Sequence, residues 1–114
     1  MRSVDRVATE SVGLALLSTM ENAGRNLATV VEDHRNGRDV VVFAGAGGNG
    51  GGGLSCARHL SNRGVAITVV LDRAPEELAG ATATQYRVLD AMDVSTVEDP
   101  PQASDAIAVD ALVG

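Results

Sequence analysis

The chain is 114 residues long, which suits one domain of ordinary size with a single hydrophobic core. Its formal net charge is −6 and all nine basic residues are arginine, a balance that argues against general nucleic-acid binding, where a basic surface supplies most of the affinity. Apolar residues make up 45% and aromatic residues 2%, so the core must rest on Val, Leu and Ala.

Residues Ser3 to Glu10 read as a short helix with Ser3 as its cap, interrupted at Gly13. A longer helix follows from Leu14 to Asp33, with an apolar stripe of Leu16, Leu17, Met20, Ala23, Gly24, Leu27, Val30 and Val31 at spacings of three and four. His34-Arg35-Asn36-Gly37-Arg38 ends it, with basic side chains against the helix dipole and a glycine stop. Asp39 to Ala44 is a nearly all-apolar strand, the pattern of a parallel strand covered on both faces. After a glycine-rich loop, a helix from Gly53 to Arg63 stops at Gly64, and Val65 to Leu71 is a second strand. Pro75-Glu76-Glu77 opens a third helix running to Met92, with proline in its first turn and carboxylates against the positive end. Val94 to Val97 reads as a short strand, Asp99-Pro100-Pro101 as a breaker, and Ala106 to Leu112 as a last strand.

This order predicts an α/β fold: one domain over residues 1–114, with a Rossmann-like parallel sheet, helices on both faces and an N-terminal helical extension. It reads as the first part of a larger domain, the second half being absent. The single Cys56 cannot form an internal disulfide, and neither a signal peptide nor a long apolar span is visible, so a cytoplasmic protein without membrane contact is expected.

The most informative segment is Val40-Val41-Val42-Phe43-Ala44 running into seven glycines within nine positions, 45 to 53. A strand, a glycine turn and a helix form an anion site, because glycine lets a ligand approach the backbone while helix N–H groups point at it. Gly45, Gly47 and Gly50 spell G-x-G-x-x-G, and Asp72 stands where a dinucleotide fingerprint places its ribose-binding acid. The chain has no lysine, which excludes a P-loop.

Three segments together resemble one family. They are Met1-Arg2-Ser3-Val4-Asp5 with Met20-Glu21-Asn22-Ala23-Gly24-Arg25, then Ala44 to Leu54 with Ala57-Arg58-His59-Leu60, and finally Val109-Asp110-Ala111-Leu112-Val113-Gly114. Their order and spacing are similar to the YjeF N-terminal family, the NAD(P)H-hydrate epimerases, with its M-E-N-A-G-R, G-x-G-N-N-G-G-D-G-L and V-D-A-L-F-G motifs. The resemblance covers the whole chain and somewhat more than half of the family's domain. It implies an isomerase of nicotinamide nucleotide repair that interconverts the epimers of hydrated NAD(P)H.

By that resemblance, Gly48, Asn49, Gly50, Gly51, Gly52 and Gly114 contact the nucleotide. Asn49 and Asp110 are the ligands of one potassium ion per subunit, and the protein is a homodimer. Asparagine amide and carboxylate oxygens at the ends of neighbouring parallel strands suit a hard cation. Two departures stand out: Gly48 replaces the motif's first asparagine and Gly52 its aspartate. Epimerising a carbinolamine carbon needs a proton donor and acceptor, and glycine supplies neither. No catalytic residue is therefore assigned.

A catalytically impaired nucleotide-binding or dimerisation module of the same fold is the alternative, as in the relatives that bind apolipoprotein A-I or scaffold decapping. A plain Rossmann fragment using Asp72 is a third reading, though Asp72 also reads as a solvated strand-end carboxylate. Cys56 reads as a packed thiol, His59 as structural and His34 as solvated; two histidines and one cysteine do not make a zinc site. Glu21 and Asn22 are expected to order the turn around the glycine loop or a dimer contact.

Overall fold

The computed structural model describes residues 2–101 and 105–112, and for 2–16 the backbone path alone. In chain order the elements are helix α1 (Arg2–Arg35), strand β1 (Val40–Ala44), helix α2 (Gly48–Asn62), strand β2 (Ile67–Leu71), a 3-10 turn (Pro75–Glu77), helix α3 (Gly80–Ala91), strand β3 (Ser95–Val97) and strand β4 (Ile107–Ala111). The strands are all parallel and lie in the order β3-β2-β1-β4. The expected α/β parallel sheet is therefore present, with β1 and β2 at its centre.

Register explains the valine run. Val40 lies opposite Ile67 and Ile107, and Val42 opposite Val69 and Val109. Strand side chains alternate between faces, so Val40, Val42 and Ala44 share one face with Val69, Leu71 and Val109. These residues form the core together with Ala28 and Val31 of α1, Leu54, Ala57 and Leu60 of α2, and Leu89 of α3. The crossovers β1-α2-β2 and β2-α3-β3 step in the same direction, so right-handedness places both helices on one face, and α1 packs on α2.

Four local expectations change. Helix α1 runs straight through Gly13, because one interior glycine costs only about 1 kcal/mol relative to alanine, too little to end a helix of 34 residues. Helix α2 begins at Gly48, five positions before Gly53, so most of the glycine run is helix. The Pro75 turn stops at Glu77; Leu78 and Ala79 are extended, which buries Leu78 in the core, and Gly80 restarts the helix with φ +57°. Along α1 it is Ala28, fully buried, that faces the core, while Val30 is 53% exposed. Leu16 lies outside the residues whose side chains are described.

The stop at Gly64 takes the expected form. Its φ is +82°, the Val65 N–H reaches the Leu60 carbonyl at 3.0 Å and the Gly64 N–H reaches Ser61 at 3.0 Å, the paired bonds of a Schellman cap. The same cap ends α3, with Asp93 (φ +59°) in the glycine position.

The tightest helix crossing is that of α1 on α2 at Gly24. A Cβ there would sit 2.5 Å from Ser55 Cβ and 2.7 Å from the Cys56 nitrogen. Alanine at an open helix position gains about 1 kcal/mol over glycine, so the sign of the substitution reports the crossing. We expect Gly24→Ala to destabilise the protein by about 1–3 kcal/mol, read as a lower urea midpoint; a raised midpoint would mean that the helices do not meet at this residue.

Candidate functional site

A doubly wound sheet binds ligands where the chain reverses direction, outside the carboxyl ends of the strands on either side of the reversal. Here that point lies between β1, whose chain leaves toward β2, and β4 on its other side. A cleft of about 480 Å³ lies there. Met20, Ala23 and Leu27 of α1 form an apolar wall, the first turns of α2 face it with Gly48, Asn49 and Gly52, and Asp110 of β4 closes one end.

The glycines around the cleft are of two kinds. Gly45, Gly50, Gly51 and Gly53 are required by close approach. A Cβ on Gly45 would lie 2.5 Å from the Leu112 carbonyl oxygen, one on Gly51 would lie 2.5 Å from Met20 Sδ, and one on Gly53 would lie 2.6 Å from Ala111 Cβ. On Gly50 it would run into the Gly45 carbonyl. Gly48 and Gly52 differ, since a Cβ at either meets nothing within 4 Å. These are the two positions at which the chain departs from the motif it resembles.

Helix α2 opens without a side-chain cap. Gly47 is its N-cap in extended conformation, and the Gly51 N–H donates to the Gly47 carbonyl at 3.1 Å. Amides of a first helical turn have no acceptor within their own helix and carry the positive end of the dipole, which suits an anion. The Gly47 carbonyl also accepts a hydrogen bond from Thr82 Oγ1 at 3.2 Å, so α3 braces the loop. That brace was not read from the sequence, where Thr82 is one small polar residue in a helix.

Asn49 and Asp110 both border the cleft. Asp110 Oδ1 accepts the Leu112 N–H at 3.1 Å, which orients the carboxylate at the end of β4. Amide and carboxylate oxygens are hard donors, of the type that suits an alkali cation better than a transition metal. Among the described residues no group of three or more His, Cys, Asp or Glu could hold a metal by itself. Of the nucleotide contacts implied by resemblance, Gly48, Asn49 and Gly52 line the cleft, while Gly50 and Gly51 are spent on packing. Gly114 lies outside the described residues.

Asp72, the acid of the dinucleotide reading, lies outside the cleft. Arg73 holds its carboxylate in a two-pronged pair at 2.8 and 3.0 Å. Cys56 is fully buried and its thiol is pushed up to about 12 by burial, so it is no nucleophile.

The second polar centre was only partly legible. Glu21 had been expected at the glycine turn or a dimer contact, yet it binds the middle of α2. Its Oε1 accepts from the Arg58 guanidinium and lies 2.7 Å from His59 Nε2, and Ser55 Oγ donates to Oε2 at 3.4 Å. Asn22 is exposed. Burial raises the Glu21 carboxyl, but the hydrogen bond and charge of Arg58, with His59 behind them, outweigh it and hold the group below its ordinary value.

A carboxylate depressed in the folded state contributes stability above its unfolded value and loses it as pH falls through the folded value. The gap in melting temperature between the wild type and Glu21→Gln should therefore be widest near neutrality and narrow between roughly pH 5 and pH 3. A constant gap over that range would mean that the charge of Glu21 does not hold the two helices.

A family-wide comparison matches residues 17–114 to the YjeF-related protein N-terminus. An NAD(P)H-hydrate epimerase of Dehalogenimonas lykanthroporepellens is 45% identical, over 100% of this chain and 49% of its own length. A bifunctional NAD(P)H-hydrate repair enzyme of Hyperthermus butylicus is 40% identical over 93% of this chain and 21% of its own. The crystal structure of yeast ynu0 (YNL200c) superposes with a TM-score of 0.72 at 28% identity, covering 87% of this chain and 47% of that one. The chain thus spans about half the length, or less, of the relatives it matches. With the motif order, the parallel sheet and the cleft at its switch point in agreement, the chain belongs to the family of YjeF-related protein N-termini.

Proposed function

We propose that this chain is the nucleotide-binding first part of a protein that acts on hydrated NAD(P)H, interconverting its epimers in nicotinamide nucleotide repair. One observation carries the reading: the family's loop and its V-D-A-L segment, distant in sequence, meet at one cleft as Asn49 and Asp110. The cleft has the parts such a ligand needs. The Met20, Ala23 and Leu27 wall takes the face of a ring, and the opening turn of α2 attracts phosphate. Asn49 and Asp110 would hold a potassium ion, which when bound supplies positive charge beside the phosphates.

Inverting the hydroxyl-bearing carbon requires a group that takes and returns a proton. Among the described residues that line the cleft, Asp110 is the single ionisable one. A carboxylate engaged with a cation is a poor base, and neither Gly48 nor Gly52 offers another. This favours the second reading, in which the chain by itself binds the nucleotide without epimerising it. Its buried free thiol fits a cytoplasmic setting.

The two readings separate in an assay that supplies both hydrate epimers with a stereospecific hydrate dehydratase. Epimerisation consumes both epimers. If one persists at its spontaneous rate while calorimetry still registers NADPH binding, the chain is a binding module. In either case Asp110→Asn should weaken NADPH binding at least tenfold, about 1.4 kcal/mol, and remove any difference between KCl and NaCl; unchanged binding in both salts would dismiss the cation role.

A homodimer is also proposed. Helix α1 exposes Val30 at 53%, an apolar side chain that a second copy could cover. Light scattering decides this: the mass of one 11.6 kDa chain at high micromolar concentration would exclude the dimer.

A further inference from the structure

We propose that the groove where α1, α2 and α3 meet is a second binding site, which takes an extended, uncharged peptide segment of a partner protein and pairs one of its peptide units with the side-chain amide of Gln85. The groove has a volume of about 400 Å³ and shares no residue with the cleft at the switch point, so the inference stands apart from the nucleotide reading. Leu17 and Glu21 of α1, Arg58 of α2, and Gln85 and Val88 of α3 line it. Gln85 is the residue that calls for a ligand. Helix α3 buries Thr82, Gln85 and Leu89 at spacings of three and four, so position 85 belongs to the stripe on which a helix ordinarily places apolar residues. The glutamine there is 6% exposed, yet among the described residues no group donates a hydrogen bond to its side-chain amide or accepts one from it.

Buried amides are ordinarily paired, because taking one out of water without a partner costs stability. Among the described residues no polar side-chain atom is sealed in without a partner, so the Gln85 amide opens outward, into the groove it lines. Its polar neighbours are already engaged. Glu21 is held by Arg58, His59 and Ser55, and the Thr84 hydroxyl by the Gly80 carbonyl and Arg87. Among the described residues of the groove, Glu21 and Arg58 carry charge, and because they pair with each other they select neither an anion nor a cation. A carboxamide presents a donor and an acceptor side by side, which is the complement of a peptide unit. A helical partner spends its amides on itself, whereas an extended one leaves them free and turns alternate side chains to one side. Leu17 and Val88, the latter 40% exposed, supply apolar surface for those side chains.

The test titrates the isotope-labelled full chain with the acetylated, methylamide-blocked tripeptide Leu-Ala-Leu and follows NMR spectra, with Gln85→Leu and Val88→Asp as variants. The peptide should shift the Gln85 side-chain amide and the backbone signals of Leu17 and Val88, and leave those of Asn49 and Gly52 in the cleft unmoved. Gln85→Leu should melt about 3 °C higher, since an unpaired amide gives way to apolar surface. It should bind the peptide about tenfold more weakly, as the loss of two hydrogen bonds requires. Val88 is exposed, so Val88→Asp keeps the fold, and its charge beside the apolar side chains should weaken the peptide at least as much. A Gln85→Leu protein that melts lower would show that the amide serves the fold. No shift at millimolar peptide, shifts confined to the cleft, or wild-type affinity in either variant would show that no peptide lies in the groove. Any of these results overturns the inference and leaves the nucleotide reading untouched.

Discussion

Everything in this molecule that resembles a site depends on how closely α1 lies against α2. Two helices cross at ordinary distance when side chains separate them, and closer only where one supplies glycine. Here both do. Gly24 of α1 rests on Ser55 and the Cys56 backbone, and one turn earlier Met20 lies over Gly51. The close crossing carries α1 over the sheet's switch point, where its Met20, Ala23 and Leu27 become one wall of the cleft. Glu21, between those contacts, binds Arg58 and His59 and sets the position of α1 along α2. The Glu32–Arg63 pair at 2.6 Å joins the same helices farther along, but it is more exposed and contributes little.

This gives the M-E-N-A-G-R segment a physical meaning. Met20 fills the space above a glycine, Glu21 supplies the ionic grip, Ala23 lines the cleft with a small apolar surface and Gly24 permits the approach. Asn22 and Arg25 point to solvent. A segment far from the glycine loop in sequence is therefore part of the same construction, a helix surface shaped to one other helix.

The glycine loop serves two ends at once. Its packing glycines let α2 start directly at the carboxyl end of β1, against Gly45, Met20 and Ala111, so that the dipole of a 15-residue helix begins at the cleft. The other two leave that helix without side chains toward the cleft. The chain thus keeps the family's scaffold while lacking the amide and carboxylate at two of its motif positions. What remains on the wall is Asn49, with Asp110 on the adjoining strand.

Several features were set by sequence alone, through local chemistry that no partner could override. The β-branched run at Val40 to Val42 made a central parallel strand, Gly64 ended α2 because only a residue tolerant of left-handed backbone fits there, and the motif order identified the family. The placement of Asp110 near the end of a strand was legible for the same reason. Tertiary contacts decided the rest. A run of glycines reads locally as a loop, and it becomes helix here because Met20, Ala111 and the Gly45 carbonyl occupy the space where side chains would be. The extended link that buries Leu78, the choice of Ala28 over Val30 for the core face and the partners of Glu21 all follow from where distant segments meet. Periodicity cannot see such contacts, because it records which residues avoid water and not which ones they touch.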